Sequence, residues 1–108
     1  MYEFKVTVTK NNILNGDRYS PFSCPVALAI KDLGFSQNNF HIFWDECIFS
    51  GVDENEEFIC KFPKAVRTFI MDFDNINCQN PKYIKPIKFK IKLPINKLTK
   101  KLHKKLYG

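Results

Sequence analysis

Two hydrophobic periods run through this chain, one of two residues and one of about 3.6, and the places where they exchange divide it into elements. Tyr2, Phe4, Val6 and Val8 alternate with Glu3, Lys5, Thr7 and Thr9, the pattern of a half-buried strand. Asn11, Asn12, Asn15, Gly16 and Asp17 are turn formers and predict a loop whose chain reversal falls at Asn15-Gly16. From Pro25 the period changes: Val26, Ala29, Ile30 and Leu33 fall at i, i+3, i+4 and i+7. Pro25 suits the first helical position, Ser23 or Cys24 the cap, and Gly34 the end. Phe40 to Phe49, aromatic and β-branched, predicts one strand bulged near Asp45. Ser50 to Glu56 is then a reversal, and Glu57 to Phe62 the second arm of a hairpin. Pro63 starts a second helix with the stripe Val66, Phe69, Ile70 and Phe73, broken at Asp74-Asn75. A polar loop through Asn77, Gln79, Asn80 and Pro81 leads to Ile87–Leu93, where apolar residues and lysines alternate for seven positions before Pro94. Ile95 to Leu106 then forms a basic amphipathic segment with Leu98, Leu102 and Leu106 every four residues.

The order strand, helix, strand, strand, helix, strand is that of the split βαβ, or ferredoxin-like, arrangement: an α+β fold with two helices on one face of a four-stranded antiparallel sheet. The last strand is an edge strand in that topology. At 108 residues the chain is one domain, read as an α+β unit over 1–93 with a basic amphipathic tail over 94–108. An exposed sheet edge or the leucine stripe would support a dimer.

Hydrophobic residues make up 44% of the chain, with eleven Phe, which implies a packed core. No apolar run approaches the roughly 18 residues that a membrane span needs. Met1-Tyr2-Glu3-Phe4-Lys5 lacks the features of a signal peptide, so a cytoplasmic location is expected. Cys24, Cys47, Cys60 and Cys78 are 23, 13 and 18 residues apart, without a C-x-x-C pair and with only His41 and His103 as imidazoles. That spacing predicts reduced, mostly buried thiols, and neither a metal site nor a cofactor.

Charge changes the picture most. Residues 81–108 hold ten lysines and no acid, while residues 1–80 hold seven Lys or Arg against eleven acids, so the net +6 belongs to one end. Segregated charge points to an acidic partner surface or a polyanion. Lys88, Lys90 and Lys92 would form a row on the open sheet face, where Tyr83, Tyr2 or Trp44 would add stacking as in sheet-surface RNA binders. Edge-strand lysines that block strand pairing are the structural alternative, and no G-F-G-F-type motif is present. Lys97, Lys100, Lys101, Lys104 and Lys105, with His103, surround the leucine stripe of the tail. They suit phosphate contact, an anionic membrane surface or a docked partner, or else a helix folded back on its own domain with solvated lysines. The stripe holds no aromatic residue, which disfavours a membrane.

For catalysis, Cys24-Pro25 at a helix start is the best position, because a helix N-terminus lowers a thiol's pKa; the base would be His41 or Asp17. Asp45, Glu46, Asp53, Glu54, Glu56 and Glu57 bracket the hairpin turn in a spacing that fits no EF-hand loop and reads as a solvated tip.

Asn15-Gly16-Asp17 followed by Ser23-Cys24-Pro25-Val26-Ala27-Leu28-Ala29, the segment Pro63–Asp74 (P-x-x-V-x-x-F-I-x-x-F-D) and Pro86-Ile87-Lys88-Phe89 resemble the motifs of a group of short bacteriophage-encoded proteins. The resemblance covers residues 1–93 and names no catalytic residue; the lysine-rich end departs from it. It implies a small accessory protein, in the host cytoplasm, that binds and blocks host machinery. The leading expectation is therefore a non-catalytic inhibitor of a host factor, such as an anti-defence (anti-CRISPR-like) protein. Its partner would be a host protein or nucleoprotein with an acidic surface. Direct nucleic-acid binding through the lysine-rich strand and tail, and a thiol enzyme using Cys24, are the alternatives. A virion part or a sponge for a small anionic signal also fits the charge.

Overall fold

The two most regular alternations in the chain pair with each other. A computed structural model describes residues 1–53, 56–75, 80 and 83–108, by backbone alone at 51–53 and 56. Strands β1 (Tyr2–Val8) and β5 (Ile87–Leu93) run antiparallel, in register from Tyr2 opposite Leu93 to Val8 opposite Ile87. Because the side-chain period is two, this register sends Phe4, Val6 and Val8 into the core with Phe89, Ile91 and Leu93. Glu3, Lys5 and Thr7 then share the exposed face with Lys92, Lys90 and Lys88.

A second sheet has the order β2-β3-β4, from β2 (Phe40–Ile42), β3 (Glu46–Asp53) and β4 (Glu56–Lys61). The fold is thus α+β, but the expected four-stranded sheet does not form; two antiparallel sheets take its place. The outer pairs of a ferredoxin-like sheet are present, β1 with the last strand and β3 with β4. The central pair, β1 with β4, is not. Instead β4, joined to β5 through one helix, lies beside it, as short connections favour. Cys60 Sγ donates to Lys92 O at 3.6 Å, and the Phe62 ring stands edge-on to Phe89 at 5.8 Å. Side chains rather than a backbone ladder fill this seam. The last strand has β1 as its one ladder partner and so keeps an unladdered edge, which is turned toward β4.

Two local expectations also fail. The stretch expected to be a loop at Asn11–Asn15 is a helix, α1 (Lys10–Asn15), because Thr9 and Asn12 form a reciprocal cap. Asn12 Nδ2 also donates to Asp32 Oδ2 at 3.0 Å, tying α1 to the end of the next helix. At Gly16 the chain packs so closely on Pro25 that an added Cβ would stand 2.6 Å from Pro25 Cδ. Second, Phe40–Phe49 is not one bulged strand. Phe43 N–H donates to Glu46 O at 2.8 Å, closing a turn that folds β2 back on β3 and places Phe40 opposite Phe49. β3 then continues to Asp53, through residues expected to reverse the chain. Glu54, Asn55 and the loop residues Asn77, Cys78, Gln79 and Pro81 lie outside the described residues.

The remaining helices follow the periodicity. α2 (Pro25–Asp32) is capped by Cys24, whose Sγ accepts from Ala27 N–H, and the chain leaves it through Gly34 at φ +112°. α3 (Lys64–Asp74) buries Val66, Phe69, Ile70 and Phe73. α4 (Lys97–Tyr107) begins at an Asn96/Thr99 capping box, and the buried Thr99 hydroxyl donates to Pro94 O at 2.7 Å. Phe4, Phe35 and Phe49 form a chain of edge-on rings through the core at 5.6 and 5.3 Å. No helix among the described residues is long and apolar enough to cross a membrane.

Candidate binding surface

The exposed face of the β1–β5 ribbon carries Lys88, Lys90 and Lys92 in one row, as the alternation requires, and the register adds a fourth lysine. Lys5 lies directly opposite Lys90, with Lys88 and Lys92 on either side along β5. Like charges directly opposed across two strands are unfavourable. Glu3 is the one acid on this face; its carboxylate is 3.9 Å from Lys90 Nζ, too exposed and distant to offset much of the repulsion. Lys5 was not legible as a site residue, because its partner strand is some eighty positions away. Once the two alternating strands are paired, its place follows.

The tail is folded onto the domain. Leu102 is buried against Gly34, where an added Cβ would meet Leu102 Cδ2 at 2.7 Å, and Leu98 is half-buried. His103 stacks on Tyr2 at 4.4 Å and meets Phe4 edge-on at 5.5 Å. The Tyr107 hydroxyl accepts from Lys5 N–H at 2.7 Å, so the end of α4 closes the outer edge of β1, as edge strands require. Lys97, Lys100, Lys101, Lys104 and Lys105 are exposed. At 3.6 residues per turn, Lys104 and Lys100 lie about one and two turns before Tyr107 on the side nearest β1, with Lys97, Lys101 and Lys105 further round. The helix thus packs on the core-facing rings Tyr2 and Phe4 of β1 and meets its outer edge at Lys5, whereas Lys88, Lys90 and Lys92 lie on the opposite face of the ribbon.

Of the rings considered for stacking, Tyr2 is committed to His103, and Tyr83 stands exposed before β5. Trp44 lies on the β2–β3 turn. The exposed ribbon face, Glu3, Lys5, Thr7, Lys88, Lys90 and Lys92, contains no aromatic residue.

Cys24 is placed where a helix N-terminus would activate it, yet burial pushes its thiol up to about 11, against the Ala27 N–H and helped by the charge of Asp74. It is therefore protonated at neutral pH. His41 stacks on Phe43 at 4.5 Å and leans on Phe22 at 5.1 Å, while Asp17 is exposed, its backbone N–H bonded to Ser23 O. Cys47 and Cys60 face each other across β3 and β4. Burial raises both, to about 11 for Cys60, and the neighbouring Cys60 thiol adds to the effect at Cys47. No group of three or more His, Cys, Asp or Glu suited to a metal occurs among the described residues.

The chain matches no family model, no curated protein and no solved structure.

Proposed function

We propose that this chain is a non-catalytic accessory protein of the phage type that binds a host factor and inhibits it, in the manner of an anti-defence protein. The lysine surface of β5, β1 and α4 meets an acidic patch on a host protein or nucleoprotein. The observation that carries this is the Lys5–Lys90 register pair, two like-charged residues opposed across the strands between Lys88 and Lys92 on an otherwise regular ribbon. Stability alone disfavours such an arrangement, and an acidic partner would turn the repulsion into attraction. The protonated Cys24 thiol favours a non-catalytic role, and the absence of rings on the ribbon face disfavours recognition by base stacking.

The test is capture from nuclease-treated host lysate by the immobilised chain and by a Lys88→Thr, Lys90→Thr, Lys92→Thr variant, at several salt concentrations. A defined host protein held by the first and lost by the second is the expected result. Capture that disappears with nuclease, and whose affinity falls log-linearly with salt, would replace this proposal with direct binding to nucleic acid.

A further inference from the structure

Two departures from ordinary local rules meet at one place. Turns favour Asn, Asp, Gly and Pro, yet the β2–β3 turn is Phe43-Trp44-Asp45, with Phe43 41% and Trp44 56% exposed. Tyr19, 72% exposed, holds φ +57°, in the left-handed region that bulky side chains rarely enter. Its N–H donates to Asp74 Oδ1 at 2.9 Å, so the carboxylate at the end of α3 secures the strained residue. Tyr19, Phe43, Trp44 and Asp74 line one pocket of about 220 Å³, with Cys24 and Ile70 also in its wall.

Residues that violate local preference without gain to the fold tend to mark function. Exposed aromatic rings beside a half-buried carboxylate have a definite chemistry: the ring faces attract a cation and the carboxylate pairs with it. Burial holds the Asp74 carboxyl above its ordinary value, against the Tyr19 N–H and the charge of Arg18. A cation in the pocket would offset that loss of solvation. An apolar ligand would deepen it, and an anion would be repelled. A planar guanidinium can lie flat on a ring while its N–H fork meets a carboxylate, which a compact ammonium cannot do. We propose that the pocket of Tyr19, Phe43, Trp44 and Asp74 receives an arginine side chain of a partner protein. It shares no residue with the lysine surface and does not depend on the function proposed for it.

Trp44 is the sole tryptophan of the chain, so its fluorescence reports occupancy. The experiment titrates the full chain with Nα-acetyl-arginine methylamide and with the neutral isostere Nα-acetyl-citrulline methylamide at matched ionic strength. A saturable change in Trp44 emission, at least about fivefold tighter for the arginine compound, is expected. Asp74→Asn keeps an oxygen to accept the Tyr19 N–H while removing the charge, and it should reduce the arginine response to the citrulline level. Equal responses to the two compounds, or a linear unsaturable quench, would overturn the proposal, and that comparison needs no variant to fold. A response seen only after Arg18→Ala would make the chain's own Arg18 the occupant and would equally overturn it.

Discussion

Cys24 occupies a position that both invites and suppresses chemistry. A helix N-terminus favours a thiolate, but removal from water disfavours the charge more strongly, and the net effect is upward. The consequence for stability has a definite sign. The thiol has its ordinary value of 9.0 when unfolded and about 11 when folded, so the unfolded chain loses its proton first. Stability is therefore full below pH 9.0 and declines as pH rises toward about 11. By about pH 10.5 this one group should have cost about 2 kcal/mol. Denaturant unfolding of Cys24→Ser, which keeps a capping side chain and does not titrate in this range, should show an alkaline loss smaller by that amount. An unchanged alkaline limb would mean that the thiol is solvated after all. The difference between the two proteins, and not either curve alone, is the measurement.

Among the elements, the β1–β5 ribbon and α4 carry opposite kinds of consequence. On the ribbon, Lys5→Thr removes the like-charged partner of Lys90, leaves Glu3 in place and introduces a residue favoured in strands. It should stabilise the fold by about 0.5 kcal/mol at low salt while weakening capture of the proposed host partner. A variant that loses stability would show that Lys5 serves the fold and would remove the main support for the proposed function. On α4, Leu102 is the contact that seats the helix on Gly34, and Leu102→Ala should cost about 2–4 kcal/mol in equilibrium unfolding. An independent, undocked tail would show almost no loss. These elements differ in how far they could be read beforehand. Both ribbon strands were legible because seven-residue alternation has a single meaning. α1 was not, since its signal was one reciprocal Thr9/Asn12 cap inside a run of residues that usually make turns. The β2–β3 turn was hidden in the opposite way, by aromatic residues placed where turns seldom hold them.

For the whole molecule, the charge segregated in the sequence remains segregated in space. The exposed lysines of β5 and α4 belong to two elements that both pack on β1, so self-repulsion acts on the native state and should fade as salt screens it. We expect the melting temperature to rise by about 2–5 °C between about 10 mM and 300 mM sodium chloride. Affinity for the proposed acidic partner should fall over the same range, so stability and binding should respond to salt with opposite sign. A melting temperature that drops with salt would indicate that the lysines are internally paired rather than displayed.

Periods of two and 3.6, together with the caps and prolines, determined by themselves the α+β class, the strands at the two ends of the domain, the helices after Pro25 and Pro63, and the exposure of Lys88, Lys90 and Lys92. Those properties depend on neighbours a few residues apart, which any local pattern records. Tertiary structure alone decided that β5 lies between β1 and β4, that Lys5 faces Lys90, that Tyr107 closes the free edge of β1, and that Tyr19, Trp44 and Asp74 share a pocket. Each of these joins residues from distant parts of the chain. Their pairing is selected by competition among whole packings, where rings such as Phe62 and Phe89 fill a seam that a backbone ladder would otherwise occupy.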